Sequence, residues 1–143
     1  MDSEDIETDV ALAEILIEAY GYCDEENSDI IYGMVNKTLT KISSSGHPKT
    51  AYLQAYMPQF GQEDSDLDSR FNALIKQSSD AGVPEAQYTH ACRLYERGDY
   101  SAAVDLYKVS ADRGYPPSQY CYGLGLYDGL GIDKNEREGL HFI

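Results

Sequence analysis

The sequence predicts an all-α protein, a right-handed α-solenoid of about three and a half helix-turn-helix repeats. Three observations carry this. The first is self-similarity. Ala81-Gly82-Val83-Pro84-Glu85-Ala86-Gln87-Tyr88 returns 32 residues later as Arg113-Gly114-Tyr115-Pro116-Pro117-Ser118-Gln119-Tyr120, with Gly, Pro, a small residue, Gln and Tyr in step. A looser copy, Gly46-His47-Pro48-Lys49-Thr50-Ala51-Tyr52, stands 36 residues before the first. The second is the period itself, because a repeat of this length is one helical hairpin that buries its apolar face against a neighbour. The third is composition. The 143 residues are 42% hydrophobic and 11% aromatic, enough to fill a core, and no apolar run approaches a bilayer span. One domain of four hairpins follows, at about 1–45, 46–81, 82–113 and 114–143, the last incomplete.

The first hairpin opens with a helix over about Ile6 to Tyr20, where Val10, Leu12, Ala13, Leu16, Ile17 and Tyr20 recur at helical spacing. Acidic residues in its first turn suit the positive end of the helix dipole, and Gly21 can end it. Residues 24–29 read as a polar loop, with Ser28 or Asp29 capping a second helix over about Ile30 to Ile42. Ser43-Ser44-Ser45-Gly46 stops that helix.

The second hairpin begins at His47-Pro48. Its first helix spans about Lys49 to Met57, with Ala51, Tyr52, Ala55 and Tyr56 packing and Pro58 closing it. A loop over 59–66 leads to a helix over about Leu67 to Asp80, with Leu67, Phe71, Leu74 and Ile75 on one face. The third hairpin is a helix over Pro84 to Arg97, a turn at Gly98-Asp99, and a helix capped by Ser101 that runs to about Arg113. The fourth is a helix over Pro117 to Tyr127, a longer loop over 128–134, and a two-turn helix from near Asn135.

Residues 118–132, Ser-Gln-Tyr-Cys-Tyr-Gly-Leu-Gly-Leu-Tyr-Asp-Gly-Leu-Gly-Ile, resemble the SEL-one-like repeat, a relative of the tetratricopeptide repeat. Ser118, Tyr122-Gly123, Tyr127, Gly129, Gly131-Ile132 and Asp133 occupy that family's pattern of small residue, Leu-Gly, Tyr, Gly-x-Gly-Val and acid. Gly129 and Gly131 suit a loop of positive φ. Gly123, and Ala91 one repeat earlier, suit a close approach of two helices. The third hairpin is similar through Ala86-Gln87-Tyr88, Ala91, Leu94-Tyr95, Ala103, Leu106, Tyr107 and Ala111, with a loop four residues shorter. The resemblance covers about 82–143, extends more loosely over 46–81 and is weak over 1–45. It implies an interaction scaffold with no catalytic residue.

The charge is lopsided. Residues 1–72 carry 15 acidic and 4 basic side chains, residues 73–143 carry 10 and 7, and the whole chain is −14. Such a surface repels phosphates, so direct nucleic-acid binding is not expected; it attracts basic proteins. The acidic start has no apolar stretch behind it, so a secretory signal is not expected and a cytoplasmic setting is. Cys23, Cys92 and Cys121 form no C-x-x-C and read as reduced thiols. His47, His90 and His141 fall in separate elements; no metal site or other cofactor is expected. His90 stands where the family has Leu, so it reads as a partly buried, hydrogen-bonded histidine.

Thirteen tyrosines, against three Phe and no Trp, are the most suggestive feature of composition. The repeat pattern assigns Tyr95, Tyr107, Tyr122 and Tyr127 to the core. Tyr52, Tyr56, Tyr88 and Tyr120 fall at variable positions of the first helices, which line the concave face in this family. Tyrosine there can bury area and hydrogen-bond at once. Thr89, Arg93 and Gln119 complete the expected partner-binding face. A second group, Asp24, Glu25, Glu26, Glu63, Asp64, Asp66 and Asp68, forms an acidic patch.

Two functions fit. One is a non-catalytic module that binds another protein through the concave face. The alternative is an acidic inhibitor, of the toxin-immunity or phage anti-defence type, that mimics nucleic acid and blocks a basic nucleic-acid-handling protein. Enzymatic activity would need a convergent polar pocket, and no nucleophile, phosphate-loop or dinucleotide motif stands in the context it requires.

Overall fold

Residues 3–57 and 64–143 are described by a computed structural model, and all regular structure among them is helical. Eight helices follow in order: α1 (Ser3–Tyr20), α2 (Glu25–Ser45), α3 (Thr50–Ala55), α4 (Asp64–Asp80), α5 (Pro84–Glu96), α6 (Tyr100–Asp112), α7 (Pro116–Asp128) and α8 (Glu136–Phe142). The chain separates into two compact units, Met1–Leu74 and Ile75–Ile143, with the boundary inside α4.

In the first unit α1 buries Ile6, Val10, Ala13 and Leu16, a single stripe at helical spacing. Val35, Leu39 and Ile42 of α2 meet that stripe, and Leu53 of α3 and Met57 close the cluster. Truncating a fully enclosed member such as Ile42 or Leu53 to Ala would cost about 2–5 kcal/mol. Lys41 pairs with Asp9 at 3.1 Å and Lys49 with Glu14 at 2.9 Å. These exposed bridges are each worth about 1 kcal/mol or less, so the apolar stripe decides the packing.

Helix α2 starts five residues before the expected point. The Asp24 carboxylate accepts from the Asn27 backbone N–H at 3.0 Å, and Glu25 and Glu26 occupy the first turn, where the dipole favours them. The run 24–29 is therefore a cap and a helical turn rather than a loop, and neither Ser28 nor Asp29 caps. The helix continues through Ser43, Ser44 and Ser45, three residues past the expected end, and only Gly46 of that run stops it, with a φ of 71°. Helix α3 is shorter than expected and buries Ala51 and Leu53, while Tyr52 is half-buried and Tyr56 exposed. Pro58 and most of the expected loop lie outside the described residues; α4 begins at Asp64, three residues early.

In the second unit the sequence repeat becomes a structural one. Gly82 and Gly114 share φ values of 85° and 84°. Two residues on, Pro84 and Pro116 each take the first helical position, where no N–H is missed. The two glutamines repeat a bond: Gln87 Nε2 donates to the Ser79 carbonyl and Gln119 Nε2 to the Ala111 carbonyl, each at 3.4 Å. Each ties a hairpin's first helix to the end of the helix before it. Ser118 Oγ donates to Ser110 Oγ at 2.8 Å, and Ser110 Oγ to the Pro84 carbonyl at 2.8 Å.

Ala91, Ala103, Val104, Tyr107, Ala111, Tyr122 and Leu126 form the second core. The cap of α6 is Asp99, accepting from the Ala102 N–H at 3.4 Å, not the expected Ser101. Gly129 and Gly131 hold φ values of 72° and 78°, as the loop glycines should. Gly123 does permit the close approach: a Cβ there would sit 2.8 Å from Phe142 Cβ and 2.9 Å from the Gly139 carbonyl oxygen. The last helix is capped by Asn135, which accepts from the Glu138 N–H at 3.2 Å.

Candidate functional site

The expected partner-binding residues fall into two groups, one in each unit. In the first unit Tyr52 and Tyr56 lie one turn apart at the end of α3, with ring centroids 5.0 Å apart in an edge-to-face arrangement. Phe71 of α4 extends the row, 5.4 Å from Tyr56 at 87°. Tyr52 packs on the first core, while Tyr56, the middle ring of the row, is 41% exposed. A groove of about 510 Å³ lies in the same unit, with a mostly polar lining that includes Asn36, Ser43, Ser44, Gln54 and Arg70.

In the second unit Tyr88 and Tyr120 occupy equivalent places on α5 and α7 but live differently. Tyr88 packs against Tyr107 at 5.9 Å and Tyr115 at 5.6 Å. Burial first, then a hydrogen bond with the Cys92 thiol, pushes its hydroxyl up to about 12. Tyr120 belongs to neither core and is 49% exposed. Thr89 donates back to the Glu85 carbonyl of its own helix at 3.0 Å, and Arg93 meets Glu96 at 3.4 Å. Gln119 spends its amide on the Ala111 carbonyl, a structural bond. Of these five residues Tyr120 alone is exposed, and it is the one most available to a partner.

Of the four tyrosines assigned to the core, Tyr107 and Tyr122 are buried there. Tyr95 and Tyr127 are not; they are 44% and 38% exposed. Tyr95 stands in the last turn of α5 beside the short loop, with Tyr100 edge-on at 4.9 Å. At Tyr127 the contact with α8 runs through backbone: a Cβ on Gly139 would lie 2.8 Å from the Tyr127 nitrogen. The repeat pattern gives their places but not the direction in which their rings leave the helix.

The acidic patch is dispersed by role. Asp24, Glu25 and Glu26 form the cap and first turn of α2. Asp68 accepts from the Asn72 side chain at 3.1 Å one turn along α4. Glu63 lies outside the described residues, and Asp64 and Asp66 are described only as the start of α4.

Burial favours the neutral forms of Tyr88, Tyr107, Tyr122, Cys121 and His90 in the second unit. The Tyr107 hydroxyl donates to Cys92 Sγ at 3.3 Å, and burial, followed by that bond, raises its pKa. Burial also pushes the Cys121 thiol up, the reverse of what an activated thiolate needs. His90 faces Ser79 Oγ at 3.4 Å and is lowered by burial and then by Lys76, in keeping with a partly buried histidine. Among the described residues no group of three or more His, Cys, Asp or Glu is placed to hold a metal ion, and no helix is long and apolar enough to cross a membrane.

Residues 84–111, the α5–α6 hairpin, match the tetratricopeptide repeat family. No curated protein matches the chain. Among solved structures, a Sel1 repeat protein from Oxalobacter formigenes is similar, with a TM-score of 0.61 and 22% identity, covering 73% of this chain and 81% of that one. Residues 84–111 thus carry a tetratricopeptide-type repeat, and the chain is an all-α protein whose fold is similar to that of a Sel1 repeat protein.

Proposed function

We propose that this chain is a non-catalytic interaction module that holds a segment of a partner protein against the tyrosine-bearing faces of its first-position helices. The observation that carries the reading is Tyr120: a large aromatic ring, 49% exposed, outside both cores, on a repeat helix. Tyr56, exposed between Tyr52 and Phe71 in an aromatic row, gives the first unit a comparable contact. Rings of this kind bury large area at low conformational cost, which is why they anchor interfaces.

The test separates contact from packing. Tyr120→Ala should weaken partner binding and leave stability within about 0.5 kcal/mol. Tyr88→Ala removes a ring packed between two others and should cost about 1–3 kcal/mol of stability. Unchanged affinity in both Tyr120→Ala and Tyr56→Ala would remove the reading.

A net charge of −14 favours a second reading, the acidic inhibitor of a basic nucleic-acid-handling protein. The structural duty of Asp24, Glu25 and Glu26 at the start of α2 accounts for part of that charge without a partner. Reversal of Asp68 with its acidic neighbours Glu63, Asp64 and Asp66 to Lys should abolish binding under the inhibitor reading alone.

A further inference from the structure

The second unit encloses a small cavity of about 180 Å³ among α5, α6, α7 and the loop after α7. The buried lining residues make its floor, and they are mostly apolar: Val104 and Gly125, with half-buried Leu124 and Leu130 beside them. Two polar groups join this lining, and both stay neutral. The Tyr107 hydroxyl is engaged with Cys92 Sγ at 3.3 Å, and burial keeps the Cys121 thiol protonated. The exposed lining residues, Asp128 and Tyr95, make the rim. Lys134 lies within electrostatic reach of Asp128, but it is held by Glu136 at 2.7 Å.

Volume and polarity decide what fits. Sites for whole small molecules run to about 300–1,000 Å³, so this cavity suits a single side chain. A Lys or Arg side chain entering it would carry its charge to an apolar floor where nothing pairs it, at a large desolvation cost. A Leu, Met or Phe side chain would bury its whole surface instead. The rim carboxylate then faces whatever flanks that anchor.

We propose that this cavity receives one bulky apolar side chain of a partner protein, with a neighbouring Lys or Arg of that partner paired to Asp128. The proposal rests on the interaction-module reading and names an anchor for it. The net charge of −14 draws basic segments toward the chain, and an anchor in a desolvated pocket supplies the affinity that an exposed charge pair cannot.

The probe is the peptide acetyl-Gly-Lys-Leu-Lys-Gly-amide, titrated into isotopically labelled protein and followed by NMR. We expect shifts centred on Tyr95, Cys121, Leu124 and Asp128. Changing the probe's Leu to Ser should weaken binding about tenfold or more, the loss of one buried aliphatic group. Changing both Lys to Glu should weaken it about threefold or more, the scale of one exposed pair. Asp128→Asn should bring the same threefold loss for the Lys probe and none for a Gln-flanked one, with the amide spectrum confirming the fold. Absence of shifts, or Ser or Glu probes that bind as well as the first, would overturn the proposal. Shifts at Tyr120 without the cavity amides would also overturn it and leave the module reading standing. Cavity binding, with a partner whose affinity ignores Tyr120→Ala and Tyr56→Ala, would support the pocket and remove the tyrosine-face reading.

Discussion

Gly123 leaves no room for a methyl group. A Cβ there would press on Phe142 Cβ at 2.8 Å and on the Gly139 carbonyl at 2.9 Å, and neither is the free end of a flexible side chain. Replacing Gly by Ala in a helix ordinarily gains about 0.5–1 kcal/mol, while overpacking costs about 1–3 kcal/mol. We expect the clash to win: Gly123→Ala should lower the urea midpoint with an unchanged slope, and a rise in the midpoint would contradict the α7–α8 contact. The packed tyrosines make a second residue-level prediction. Folding raises the Tyr88 hydroxyl from 10.0 to about 12, and Tyr107 moves the same way. The folded state then holds protons that the unfolded chain releases, so this contribution is intact below about pH 10 and is lost as pH climbs through 12. An ultraviolet titration should show phenols ionising late, and the urea midpoint should fall over that window; a flat profile would contradict the packing of these rings.

At the scale of the element, helix starts separate capping from charge. Asp24→Ala should destabilise α2 by about 1 kcal/mol, whereas Asp24→Asn, an equally good cap, should not. Thermal denaturation of the two variants checks this, and equal losses would mean that the charge rather than the cap matters. The same helix shows why boundaries were only partly legible. Asp24, Ser28 and Asp29 are all competent caps in one polar run. The choice fell to Asp24, from which α2 runs 21 residues and brings Val35, Leu39 and Ile42 onto the stripe of α1. Asp99 and Ser101 compete in the same way before α6. Where one residue type has no rival, as with Pro84 before α5, sequence and structure agree on the start of the helix.

At the scale of the whole molecule the issue is what kind of force holds a partner. Pairs of exposed charges are screened within about 8 Å at physiological salt, while buried rings are not. We expect a complex captured from the source cell at low salt to survive a high-salt wash if the tyrosines and the cavity anchor carry it. Loss of a basic, nucleic-acid-binding partner in that wash would favour the acidic-inhibitor reading instead.

The chain's own pattern determined the helical class, the repeat that α5 and α7 share and its loop glycines, because Gly, Pro and small residues at a fixed period state backbone requirements that no neighbour needs to supply. It also marked Tyr107 and Tyr122 as core. The exposure of Tyr95 and Tyr127, the structural duty of Gln119, and the cavity rimmed by Asp128 were decided only by tertiary structure. Each depends on which way a side chain leaves its helix and on what the next helix offers it, and the spacing of residues along one strand of sequence carries neither.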